Sequence, residues 1–269
     1  MFARSGSAAR TPASSADAWP SSRVSLILIG DDSGDARALA TLLARATDGT
    51  VLRSSDAVRD AIRRRHPGLV VVRSRRRHAS SHEAESLVRD APCPVAVAPP
   101  GYERWAPQAL RRLGVAFDGW AESRVALAEA AAVAQGAGGE LILLMASDPH
   151  TAASAQGSDR EADTPAGHRT LAREYLRRVV DDVSRRVPAG SGVLDGPVVP
   201  ALREACVARR LDLLTLGSRR RGQVARVVVG SVSSALLHHP PDCPLLVCPR
   251  GVAPPRGTAD LTRAGTRRS

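Results

Sequence analysis

Apolar residues fall into short runs separated by longer amphipathic stretches, and the two alternate along most of the chain. Leu26-Ile27-Leu28-Ile29, Leu69-Val70-Val71-Val72, Val95-Ala96-Val97-Ala98, Leu113–Phe117, Glu140–Ala146, 211–216 and 245–248 are four to seven residues long and rich in Val, Ile and Leu, as buried strands of a parallel sheet are. Between them the pattern predicts helices over 122–135, stopped by Gly136 and Gly138-Gly139, and over 171–187, ending at Pro188. The second carries an apolar stripe of Leu171, Tyr175, Val179, Val183 and Val187. A short strand is expected at Val198-Val199, then helices over 201–210 and 232–239, while 148–167 reads as a polar, mobile connection.

The pattern repeats. Ala91–Gly101 aligns with Pro241–Gly251, both carrying Cys-Pro before an apolar run; Gly68–Ser74 aligns with Asp212–Ser218, and Leu26–Asp31 with Leu113–Asp118. Strand–helix alternation repeated in tandem predicts an α/β chain of two Rossmann-like units, the C-terminal one with a complete parallel five-stranded sheet and the N-terminal one shortened. The boundaries read as a tail over 1–22, a first unit over 23–101, a linker over 102–108, a second unit over 109–250 and a basic tail over 251–269. The two Cys-Pro strands are expected to pair as the closing edges of their units, since pairing covers an exposed edge.

Composition narrows the function. The formal charge is +11, and all 38 basic residues are arginine. The charge is spread out, at +4 over 23–101 and +3 over 109–250, and aromatics make up 3% of the chain. Dedicated nucleic-acid binding, which needs a concentrated basic face or stacking aromatics, is therefore not expected. No apolar run approaches the ~20 residues of a membrane span. The four cysteines include no C-x-x-C pair, so a reduced cytoplasmic setting is the default. Without lysine there is no Walker A motif, kinase lysine or receiver lysine; G-x-S-x-G and H-E-x-x-H are absent, and His238-His239 lack a third metal ligand.

One stretch carries the candidate chemistry. The run 211–216 ends at Gly217-Ser218; Arg219-Arg220-Arg221-Gly222 follows; and Gly230-Ser231-Val232-Ser233 opens the next amphipathic segment. A strand, a glycine-containing loop and a helix start collect anions, because the N–H groups of the first helical turn have no carbonyl partners. Asp118, directly after Leu113–Phe117, stands where open parallel sheets bind ligands. It also fits a cap for the following helix.

This stretch resembles the phosphate loop of the universal stress protein family, in which glycine, two residues, glycine, nine residues, and glycine followed by Ser or Thr recur. Gly217, the nine residues 221–229 and Gly230-Ser231 are in register, Gly222 matches a further frequent glycine, and Arg220 stands in place of the middle one. The resemblance implies ATP or AMP, with or without Mg²⁺, bound without a robust catalytic cycle in a stress or dormancy response. It implies contacts from Ala116, Asp118, Ala146, Leu216, Gly217, Arg219, Arg220, Gly222, Gly230, Ser231, Val232 and Ser233. Arg220 either pairs with a phosphate or blocks its approach. A nucleotide-free, partner-binding protein and a slow ATP hydrolase are the alternatives, the chain pairing either with a second copy or with its own repeat. The first unit, whose counterpart loop 73–82 has no glycine, is not expected to bind nucleotide.

Overall fold

The computed structural model describes residues 26–31, 33–53, 57–74, 78–146, 165–218 and 231–249. In chain order the elements are β1 (Leu26–Ile29), α1 (Gly34–Thr47), β2 (Thr50–Arg53), α2 (Val58–Arg65), β3 (Leu69–Arg73), α3 (His78–Asp90) and β4 (Val95–Ala98). A short 3₁₀ turn, Tyr102–Arg104, leads to β5 (Arg112–Ala116), α4 (Ala121–Ala137), β6 (Glu140–Ala146), α5 (Pro165–Val183), β7 (Ala189–Leu194), α6 (Val198–Ala208), β8 (Leu213–Ser218), α7 (Ser231–His238) and β9 (Leu245–Pro249).

The strands form one sheet in the order β2-β1-β3-β4-β9-β8-β5-β6-β7. Every neighbouring pair is parallel except β4 and β9, which run antiparallel with Val95 opposite Val247 and Val97 opposite Leu245. The two Cys-Pro strands therefore meet, as their repeat predicts, and each covers the edge the other would expose. An antiparallel pair of equivalent strands carries a local two-fold relation, so the chain encloses its own counterpart of a symmetric pairing.

Alternation sorts the side chains to two faces. Ile27, Ile29, Val71, Ala96, Val115, Leu143, Leu213, Leu246 and Cys248 pack beneath α1, α4 and α5. Leu28, Val70, Val95, Val97, Leu144, Leu214, Leu216, Leu245 and Val247 pack beneath α2, α3, α6 and α7. Helices on both faces explain why these strands are apolar throughout. Cys243 and Cys248 fall on opposite faces; all four cysteines are buried free thiols, and burial pushes that of Cys93 up to about 12.

Several expectations are corrected. The third strand of the second unit is 189–194, not Val198-Val199. Its sequence, Ala-Gly-Ser-Gly-Val-Leu, lacks an apolar alternation because β7 is an edge strand with half-open faces. Val198-Val199 instead open α6 behind Pro197, whose φ of −62° suits a helix entrance. Helix α5 begins at Pro165 and ends at Val183; its most buried residue is Leu176, outside the expected stripe, whereas Leu171 is exposed. Residues 148–164 of the expected polar connection lie outside the described residues, and 165–167 form the first turn of α5. Tyr102, in the expected linker, is fully buried and stacks edge-on against Trp105 at 4.7 Å, while the buried Asp35 accepts the N–H groups of Gly101 and Glu103 at 3.0 Å each. That stretch is therefore a packed joint.

Contacts across the β4–β9 seam occur on both faces. On one, α1 meets α4 so closely that a Cβ on Gly136 would lie 1.7 Å from the Ala46 carbonyl oxygen. On the other, Glu85 of α3 accepts from the Ser234 hydroxyl at 2.8 Å and meets Nε2 of His238 at 3.2 Å.

Candidate nucleotide crevice

In the second half the order β7-β6-β5-β8-β9 reverses its winding between β5 and β8, so the crevice of an open α/β sheet opens at the carboxyl ends of these two strands. Ala116 pairs with Leu216, which brings the turn after β5 alongside Gly217 and Ser218. Helix α4 leaves β5 over one face and α7 follows β8 over the other, and both start at this edge.

Asp118 is exposed here, one carboxylate oxygen accepting the Trp120 N–H at 3.1 Å. The side chain thus closes a local turn ahead of α4 rather than capping the helix, whose cap residue is Trp120. Gly119, at φ +81°, makes that turn, and a Cβ on it would lie 2.9 Å from the Tyr175 hydroxyl. Tyr175 stacks on Phe117 with centroids 6.1 Å apart and meets Arg124 Nη2 at 3.3 Å. Ser123, buried in the first turn of α4, donates to the Trp120 carbonyl at 2.9 Å.

Gly217 has a packing reason to be glycine. A Cβ there would lie 2.4 Å from the Glu122 carbonyl carbon and oxygen, so only glycine lets the start of α4 settle against the end of β8. From the other face the buried Ser233 donates its hydroxyl to the Gly217 carbonyl at 3.4 Å, tying α7 to β8. Ser231 is exposed at the first position of α7, and Val232 is half-buried beside it. Ala116 and Ala146 are half-buried last residues of β5 and β6, and Leu216 is buried. Of the expected contacts the fold thus gathers Ala116, Asp118, Leu216, Gly217, Ser231, Val232 and Ser233 at the paired ends of β5 and β8, with Ala146 one strand away. Arg219, Arg220, Gly222 and Gly230 lie outside the described residues.

The equivalent corner of the first half is tied by backbone hydrogen bonds to its acid. Asp31, the counterpart of Asp118, accepts Ser33 N–H at 2.9 Å and Arg73 N–H at 2.7 Å, bridging β1 to β3. Ser33 caps α1 by accepting the Ala36 N–H at 3.2 Å. Its counterpart in α4 is Trp120, an indole where the first half has a capping hydroxyl, and it makes no side-chain cap. Among the described residues no group of three or more His, Cys, Asp and Glu is placed to hold a metal ion, and no helix is long and apolar enough to cross a membrane.

Several solved structures align with this chain. A universal stress protein from Archaeoglobus fulgidus aligns over 77% of this chain and 73% of its own, at 19% identity and a TM-score of 0.54. UspA, a universal stress protein from Lactobacillus plantarum, aligns over 52% of this chain and 97% of its own (19% identity, TM-score 0.42). A universal stress protein family protein from Arabidopsis thaliana with AMP bound aligns over 53% and 93% (13% identity, TM-score 0.35). No curated protein sequence matches. The model of the Universal stress protein family matches residues 109–249, which span β5 to β9 with the crevice at their centre. The chain belongs to the universal stress protein family.

Proposed function

We propose that the second half binds an adenine nucleotide, ATP or AMP, at the crevice between β5 and β8, and that binding rather than turnover is its role. The observation that carries this reading is the register of β5 on β8, which sets the exposed Asp118 beside Gly217 where the sheet reverses its winding. A carboxylate there suits ribose or base hydroxyl and amino groups, and the start of α7 at Ser231 offers unpaired N–H groups to phosphate. The loop 219–230, with Arg219, Arg220, Gly222 and Gly230, joins these two ends and supplies the remaining phosphate donors. Asp118 is the sole carboxylate of the expected site, which argues against a dedicated Mg²⁺-dependent hydrolase. The corresponding cellular setting is a cytoplasmic stress or dormancy response.

Equilibrium dialysis of the full chain against labelled ATP and AMP, with and without Mg²⁺, tests the reading. Saturable binding that Gly230→Val abolishes supports it; absence of binding of either nucleotide overturns it and leaves a partner-binding protein. Arg220→Gly then separates a phosphate ligand, whose loss weakens binding, from an obstruction, whose loss strengthens it.

A further inference from the structure

Strand β7 lies at one end of the sheet and, among the described residues, pairs on one side only, with β6. The Pro188 carbonyl accepts the Leu141 N–H at 2.8 Å, and the parallel register continues from there with Leu141 beside Ala189 and Leu143 beside Ser191. In a parallel ladder alternate residues bond the same neighbour. Gly190, Gly192 and Leu194 therefore turn their backbone groups to β6, and Ala189, Ser191 and Val193 turn theirs outward.

This edge lacks the usual guards. Its six residues, Ala-Gly-Ser-Gly-Val-Leu, include neither a charge nor a proline. Gly190 and Ser191 are exposed, and a Cβ on Gly190 would meet nothing within 4 Å. The opposite edge, β2, is four residues long and ends in Arg53. The turn before β7 carries Arg185, which meets Asp182 at 3.5 Å, and the exposed Arg186. The exposed Asp195, which meets Arg169 at 3.2 Å, follows the strand. A second β7 laid antiparallel brings the arginine end of one to the acidic end of the other, whereas a parallel one sets like beside like.

We propose that β7 is a self-pairing edge: two copies of the chain join antiparallel through it, with Ser191 opposite Ser191 on a two-fold axis, so that two nine-stranded sheets become one. This register alone pairs all three outward residues, Ala189 meeting Val193 of the second copy and the reverse, for about six interchain backbone bonds. It sets Gly192 against Gly190 of the second copy, which leaves room for the Arg209 guanidinium that a Cβ on Gly192 would strike. The antiparallel pairing of β4 with β9 joins the chain's own halves in the same way. So small a contact gives a dimer that dissociates on dilution.

Sedimentation velocity of the full chain from about 1 to 100 μM tests this. A monomer–dimer shift is expected, with slower amide exchange at Ala189, Ser191 and Val193 in the concentrated sample. Ser191→Pro removes only an outward N–H, so it should weaken the dimer about ten-fold or more and keep the melting temperature of the dilute monomer within about 2 °C of the parent. Ser191→Glu and Ser191→Arg should each be monomeric, and an equimolar mixture should restore the dimer, because the two positions face each other. A chain that stays monomeric at every concentration overturns the proposal. A dimer that Ser191→Pro and both charged variants leave intact, or whose amide protection lies away from β7, overturns it too. Failure of the two charged variants to rescue each other overturns the pairing about Ser191.

Discussion

The carboxylate of Asp31 accepts the backbone N–H of Arg73 at 2.7 Å, joining the ends of β1 and β3. Its counterpart Asp118 instead stands exposed at the end of β5, with one oxygen on Trp120 N–H. Two copies of one corner have thus diverged. In the first half the acid joins two strands, and in the second it stands exposed at the carboxyl edge of the sheet.

Asp31→Ala should therefore act on stability alone. It leaves two backbone N–H groups without their acceptor, at a cost of about 1.5–3 kcal/mol. Chemical denaturation of the full chain should show that loss, while nucleotide affinity measured under native conditions stays within two-fold of the parent. A large fall in affinity would place ligand in the first half.

Gly217→Val should destabilise whether or not nucleotide is present. The added carbons collide with the backbone of Glu122, which cannot rotate away as a side-chain tip would. A loss of about 3 kcal/mol or more is expected from chemical denaturation without ligand. Unchanged stability would mean that the glycine serves ligand approach only.

How far the sequence reveals this molecule depends on what each residue answers to. The Cys-Pro strands, the apolar runs and the helix that starts at Ser231 were legible because buried parallel strands and helix starts impose local patterns. Strand β7 was not, because as an edge strand it needs few apolar residues, and Val198-Val199 offered a stronger local signal for the wrong element. Asp118 and Gly217 stand out from the sequence by their positions after strands, but the collision that makes Gly217 a packing residue depends on α4, far off in sequence. The missing side-chain cap of α4 stayed hidden because it shows only in comparison with Ser33.

Stability should fall between pH 4.5 and 7 because of Glu129. Burial within α4 pushes this carboxyl up from its ordinary 4.5 to about 7, so the folded chain holds a proton that the unfolded chain has released. The contribution is complete below about pH 4.5 and is lost as pH rises through about 7, amounting to about 3 kcal/mol. Glu129→Gln should remove that slope and exceed the parent in stability at pH 8, as read from denaturation midpoints across the range. Parallel pH profiles would show that the carboxyl is solvated.

Glu85→Ala should loosen the seam between the halves. It removes the acceptor for Ser234 and the partner of His238 across α3 and α7. A loss of about 1–2 kcal/mol is expected, and hydrogen exchange should rise in both helices. A loss confined to α3 would show that the pair does not couple the halves.

The central claim is a nucleotide site in the second half and none in the first, and calorimetric titration of the full chain with ATP and AMP addresses it most directly. One site per chain is expected, with Asp118→Ala weakening binding by about ten-fold or more and Asp31→Ala leaving it unchanged. Two sites per chain, an effect of Asp31→Ala equal to that of Asp118→Ala, or no heat with either nucleotide would contradict the account.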